Sequence, residues 1–142
     1  ILRLDADDVL EATAVSTLVE FFVRHKAICR ELVAVFGDYI EIDQTGHIIK
    51  EIKKQSTPAG DADFLVPIHG ACTLIDAHWL RSIGGYDDEF SRQDGFYIWA
   101  QASAFDKKIL GCEQVIFHYR KHQMSLSAAW SKILDQRNLI AE

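Results

Sequence analysis

An alternation of strand-like and helix-like segments predicts an α/β fold for this chain of 142 residues. One observation is a helical apolar period between Glu11 and His25, with short apolar runs on either side of it. Another is the composition, since 49% hydrophobic and 25% charged residues are ordinary values for a globular protein. A chain of this length is expected to form one domain, residues 1–142.

The first half of the chain is predicted to hold one helix among several short strands. Ile1–Leu4 predicts a strand and is followed by an acidic loop, residues 5–8. The helix is predicted over 11–25, because apolar residues at 15, 18, 19 and 22 share one face. Further strands are predicted over 31–36, 39–42 and 47–52. Gly37-Asp38 is expected to end the first of these, and a turn at 43–46 to join the other two.

The second half predicts two internal helices and a further pair of strands. Residues 55–63 are rich in turn formers and predict a surface loop, and 71–75 form the next apolar run. A short helix over 77–83 is expected to be capped by Asp76 and ended by Gly84-Gly85. The remaining predictions are a helix near 94–105, strands over 108–111 and 114–119, a polar loop over 120–127 and a last helix from 128 to about 140.

Charge and cysteine content exclude several classes of protein. The net charge of -6 disfavours nucleic acid as a partner, because nucleic-acid binders normally carry a basic excess. Three widely spaced cysteines fit neither a disulfide framework nor a zinc site, and they indicate a reducing cytoplasm. No stretch is long and apolar enough to predict a membrane span.

The acidic loop after the first predicted strand is the first candidate site. α/β folds bind ligands beyond the carboxyl ends of their strands, and two or three carboxylates there suit Mg²⁺ or Mn²⁺. A solvated turn that precedes a helix is an equally good interpretation of so short a motif. A third interpretation is a phosphatase, because Ile1 to Val9 resembles the haloacid dehalogenase superfamily. In that case Asp5 would be the nucleophile and Asp7 the acid/base.

Four ordered blocks of sequence point to another family. They are Leu4-Asp5-Ala6-Asp7-Asp8; Gly70 to Ile75 with Leu80 to Asp87; Gln93 to Trp99; and Tyr119 to His122 with Ser125 and Ser127. In this order they resemble the back half of a family 2 glycosyltransferase of the GT-A fold, over residues 1–127, with 128–142 as a C-terminal helix. The resemblance implies a GT-A-like mixed sheet flanked by helices.

The resemblance also implies a metal and donor site. Asp7 would be the main ligand of Mn²⁺ or Mg²⁺, with Asp5 and His122 as further ligands. Asp5, Asp7, Asp8 and Arg120 would bind the nucleotide-sugar donor, with Arg120 near its phosphates. The alternative for the basic stretch from His118 to His122 is a solvated turn, and His118 is expected to be structural.

The second and third of the four sequence blocks imply a catalytic base and an acceptor site. Asp94 would accept the proton of the acceptor hydroxyl, and a single base implies direct displacement with inversion. The alternative is that Asp94 only caps its helix. Gly70, Ala71 and Gln93 would line the acceptor side, although the family usually has Glu where this chain has Gln93.

Matching the family in this way leaves its N-terminal β-α-β units, about 60–100 residues, without a counterpart. We therefore expect a fragment that is inactive alone, and self-association or pairing with that segment. The expected activity is sugar transfer to a hydroxyl-bearing glycan or lipid, in the synthesis of glycans or cell-envelope polysaccharides. The expected location is the cytoplasm or the inner face of the membrane. A non-catalytic module that binds carbohydrate or a partner chain is the alternative outside the enzymes.

Overall fold

The computed structural model describes residues 1–53, 56–58, 65–67, 70–87, 89 and 94–122. In chain order, their helices and strands are β1 (Val9–Leu10), α1 (Ala14–Lys26), β2 (Leu32–Ile42), β3 (Ile48–Ile52), β4 (Ser56–Pro58), β5 (Leu65–Pro67), β6 (Leu74–Ile75), α2 (Ala77–Ser82), α3 (Asp94–Ala104) and β7 (Lys108–Arg120). The predicted loop at 123–127 and helix at 128–140 lie outside the described residues.

Two long parallel strands, β2 and β7, form the centre of a mixed sheet. β1 pairs antiparallel with β7, while β3 and β6 pair antiparallel with β2 at different points along its length. One apolar cluster on the sheet includes Leu18 of α1, and a second includes Trp79 of α2 and Trp99 of α3. The predicted α/β class is confirmed.

Each central strand was predicted as two strands, and this was wrong. Gly37 lies opposite Cys112, but the next pair is Asp38 with Val115, so β7 carries an irregularity at the predicted break. A Cβ atom on Gly37 would lie only 2.6 Å from the Gln114 carbonyl oxygen. The glycine permits a close backbone approach within a continuous strand, where the sequence suggested a strand end.

Two shorter segments also differ from the predictions. Ile1–Leu4 forms one isolated bridge, between Leu2 and Leu74, and its backbone hydrogen bonds go to Cys72 and Ile75. Residues 56–58, predicted to lie in a loop, pair as β4 with β5. The rest of that predicted loop, apart from its strand residues, lies outside the described residues.

The helices confirm one feature predicted from local sequence and correct another. The Asp76 carboxylate accepts hydrogen bonds from the backbone N–H groups of His78 (2.9 Å) and Trp79 (3.3 Å), so the predicted cap of α2 is confirmed. The face predicted for α1 is displaced by one position. Ala14 and Leu18 are buried, whereas Val15 and Val19 are half exposed. No helix in the described part of the chain combines the length and hydrophobicity needed to cross a membrane.

Gly95, the second residue of α3, lies in close contact with the backbone of Gly70. A Cβ atom on Gly95 would lie 2.7 Å from the Cα atom of Gly70, which is backbone and cannot rotate away. We expect Gly95→Ala to lower the free energy of unfolding by about 1–3 kcal/mol, the usual cost of overpacking. Urea denaturation measures this effect. Ser103→Ala, at an exposed position of the same helix, is the control and should change stability by less than about 0.5 kcal/mol. Equal stability of the two variants would contradict the close contact.

Candidate functional site

The acidic loop lies at the carboxyl ends of the two central strands. Ile42 and Arg120, the last residues of β2 and β7, are paired, and the ladder continues with a hydrogen bond from Lys121 N to Ile42 O (2.9 Å). This extension brings His122 to the loop, where its Nε2 atom lies 2.8 Å from Asp7 Oδ2. Asp7 and His122 are 115 positions apart in the chain, and the sheet brings them into direct contact.

Asp8 is the buried carboxylate of the acidic loop. Its side chain is 8% exposed, and its Oδ1 atom accepts a hydrogen bond from Arg120 N (2.9 Å). Its buried Oδ2 atom has no hydrogen-bond partner among the described residues. Burial raises the pKa of the Asp8 carboxyl to about 6, and the charges of Asp7 and Asp5 act in the same direction. The buried Asp8 carboxylate therefore connects the acidic loop to the end of β7.

Arg120 is bonded to carbonyl groups on two separate segments. Its Nε atom donates to Asp7 O (2.9 Å), and its Nη1 atom donates to Asp43 O (3.0 Å) and Gln44 O (3.2 Å). These bonds join the acidic loop to the turn between β2 and β3. The resemblance places Arg120 near the donor phosphates, whereas the described hydrogen bonds of its guanidinium group go to backbone carbonyls.

Asp5, the third expected metal ligand, forms an ion pair with Arg3. Its Oδ1 atom lies 3.3 Å from Arg3 Nη2. Within the described ranges, no three His, Cys, Asp or Glu side chains are grouped so that they could hold a metal ion. The structure therefore brings together two of the three expected ligands.

The Asp7–His122 pair offers two ligand atoms to a divalent cation. Adjacent ligands of an octahedral ion at about 2.1 Å are themselves separated by about 3 Å. The 2.8 Å between Asp7 Oδ2 and His122 Nε2 is a hydrogen-bond distance, so the two side chains would have to give up this bond to face one ion together. One carboxylate oxygen with one imidazole nitrogen is a donor set that suits Mn²⁺. Both side chains are partly exposed, at 42% and 26%, so an ion could reach them from solvent.

A groove adjoins this pair on the side of the β2–β3 turn. It has a volume of about 570 Å³ and is lined by Asp43, Gln44, Thr45, Lys121 and His122. Hydrogen bonds from the Thr45 hydroxyl and from His47 N lower the pKa of Asp43 to about 2, so this carboxylate is ionised at neutral pH. The sequence analysis treated 43–46 only as a connection, because nothing in the local sequence shows that Arg120 draws this turn to the acidic loop.

The start of α3 lies near Arg3, which pairs with Asp5 of the acidic loop. A Cβ atom on Gly70 would lie 3.1 Å from Gly95 Cα and 3.8 Å from Arg3 Nη2, the atom that contacts Asp5. Asp94 is the first residue of α3, so its backbone shares this neighbourhood. The side chain of Asp94 and all of Gln93 lie outside the described residues.

The other two expected acceptor residues have clear structural surroundings. The side chain of Ala71 is 5% exposed and packs in the core, which leaves only its backbone for contact with a ligand. The close contact with Gly95 accounts for the presence of glycine at position 70. His118, expected to be structural, lies 2.6 Å from Glu11 Oε1 and so links β7 to the segment before α1.

The fold and the site together define an α/β protein with a carboxylate–imidazole pair at the carboxyl edge of a mixed sheet. No protein-family model matches the chain, and no curated protein matches it.

Proposed function

We propose that this chain is part of the catalytic domain of an inverting, cation-dependent glycosyltransferase that resembles family 2 enzymes of the GT-A fold. It would move a sugar from a nucleotide-sugar donor to a hydroxyl group of a glycan or lipid acceptor. The observation that carries the proposal is the 2.8 Å contact between Asp7 and His122, because it joins the first and last of the four sequence blocks at one point.

Asp7 and His122 would hold Mn²⁺ or Mg²⁺ at this edge of the sheet. When bound, the cation would take up the negative charge that develops on the diphosphate leaving group. The buried Asp8 and the hydrogen bond from Arg120 to Asp7 O restrain the acidic loop. Because the loop is restrained in this way, the Asp7 carboxylate would need little rearrangement when the donor binds.

Asp94 would act as the base at the start of α3. A helix N-terminus stabilises a carboxylate, which is the form that accepts a proton. The close contact of Gly70 and Gly95 supports this role, because it brings the start of α3 near the Arg3–Asp5 pair and so toward the acidic loop. One base without a partner nucleophile corresponds to transfer with inversion.

Metal binding by an Asp7→Asn variant tests this proposal. We expect the wild-type chain to bind Mn²⁺ weakly alone and more tightly with a nucleoside diphosphate, and the variant to lose at least about 10-fold in affinity for Mn²⁺. Titration calorimetry measures both affinities. Asp106→Asn, at an exposed position remote from the loop, is the matched control and should bind like the wild type.

Other results would favour the alternative functions. Unchanged Mn²⁺ affinity in Asp7→Asn would refute the assignment of the site. Hydrolysis of a simple phosphomonoester that Asp5→Asn abolishes would indicate a phosphatase. Binding of free oligosaccharide without any cation or nucleotide dependence would indicate a carbohydrate-binding module.

A further inference from the structure

Arg120 connects three parts of the candidate site. Its guanidinium group donates to the carbonyl oxygens of Asp7, Asp43 and Gln44, and its backbone N–H donates to the buried carboxylate of Asp8. His122 follows two residues later in the chain. Arg120 therefore links the backbone of Asp7 to the strand end that carries His122.

The geometry of these bonds requires arginine. A guanidinium is a rigid plane with donors that point in fixed, different directions, so Nε can serve one segment while Nη1 serves another. A lysine ammonium keeps the charge but concentrates its donors on one atom at the end of a flexible stem. It does not reproduce the separate Nε and Nη1 donors that serve the acidic loop and the β2–β3 turn.

We propose that Arg120 is a positioning residue, which holds Asp7 in place for cation binding and ties the acidic loop to the β2–β3 turn that lines the adjoining groove. It acts through backbone carbonyls and is not a ligand of the donor phosphates. A consequence is that occupation of the groove and occupation of the cation site are coupled through its guanidinium. The consequence for cation binding rests on the proposed function, whereas the coupling of loop and turn does not.

NMR spectroscopy of the chain tests the structural part without any ligand. In Arg120→Lys we expect the backbone amide signals of Asp8 and Gln44 and the ring signals of His122 to shift together. Core signals, such as the amide of Leu18, should stay at their wild-type positions. Arg24→Lys is the matched control, because it makes the same substitution at an exposed arginine in the last turn of α1 and should leave the loop and turn signals in place. If Arg120→Lys leaves the loop and turn signals in place, the proposal is overturned.

Metal affinity separates positioning from direct phosphate binding. Positioning predicts that Arg120→Lys, although it keeps the charge, binds Mn²⁺ alone about 10–100-fold more weakly, the usual loss when an outer contact of a metal ligand is removed. A direct phosphate contact predicts unchanged affinity for Mn²⁺ alone and a loss only toward a nucleoside diphosphate, which would overturn the proposal. If the wild-type chain binds no Mn²⁺, the proposed function fails, and the NMR shifts still decide whether Arg120 couples the loop to the turn.

Discussion

Replacing Asp94 by Asn is expected to lower sugar transfer by about 10²–10⁴-fold, the usual contribution of a positioned general base. Asparagine keeps the size of the side chain and is also a good residue at a helix N-terminus, so the fold should be preserved. The variant cannot accept the proton of the acceptor hydroxyl. The measurement is the rate of sugar transfer from a nucleotide sugar, with the folded fraction determined on the same sample.

Asp106→Asn is the matched control for this substitution. Asp106 is exposed just beyond the other end of α3, and its positive φ of 51° suits asparagine. The control should transfer sugar at the wild-type rate. If Asp94→Asn unfolds the protein while turnover per folded molecule stays normal, Asp94 is a helix cap and not the base.

Asp8→Asn should change how the stability of the protein depends on pH. Burial raises the pKa of Asp8 from 3.8 to about 6, so the folded state binds this proton more tightly than the unfolded state does. The contribution of Asp8 to stability is therefore fully present below about pH 4 and is lost as the pH rises through 6. A shift of this size corresponds to about 3 kcal/mol. Asparagine has no such dependence, and its Oδ1 can still accept the hydrogen bond from Arg120 N.

Urea denaturation at pH 4, 5.5 and 7, with a chelator present, measures this difference. The free energy of unfolding of Asp8→Asn minus that of the wild type should rise by about 3 kcal/mol between pH 4 and 7. Asp43→Asn is the control, and its free energy of unfolding should differ from that of the wild type by the same amount at all three pH values. The pKa of Asp43 is lowered to about 2, so its contribution is present above pH 4 and is lost as the pH falls toward 2. Parallel pH profiles for Asp8→Asn and the wild type would contradict the buried charge.

The acidic loop was predicted at the carboxyl edge because Ile1–Leu4 was expected to be a strand that ends there. Ile1–Leu4 forms a single bridge, and the loop instead precedes β1, which runs antiparallel to β7 and therefore begins beside the end of β7. The structure places Asp7 and Asp8 there, beside the end of β7. The geometry of the wider metal site was not predictable in this way, since Asp5 turns to Arg3 while Asp7 meets His122. Neighbours in sequence need not point in the same direction in a tight loop.

By itself, the sequence determined those features that depend on neighbouring residues. Three such features follow from side chains that act within a few positions: the Asp76 cap of α2, the turn at 43–46 and the approximate span of α3. Such interactions are local, so they leave a pattern that can be recognised along the chain.

Only the tertiary structure decided what joins distant segments. The irregularity beside Gly37 is created by β7, and the sequence around Gly37 alone indicated a strand end. Arg120 is 113 positions from Asp7 and 77 from Asp43, yet its guanidinium bonds to the backbone of both. Backbone carbonyls are present at every residue, so the partners of such a side chain are selected by the packing of the sheet and leave no signal in the sequence.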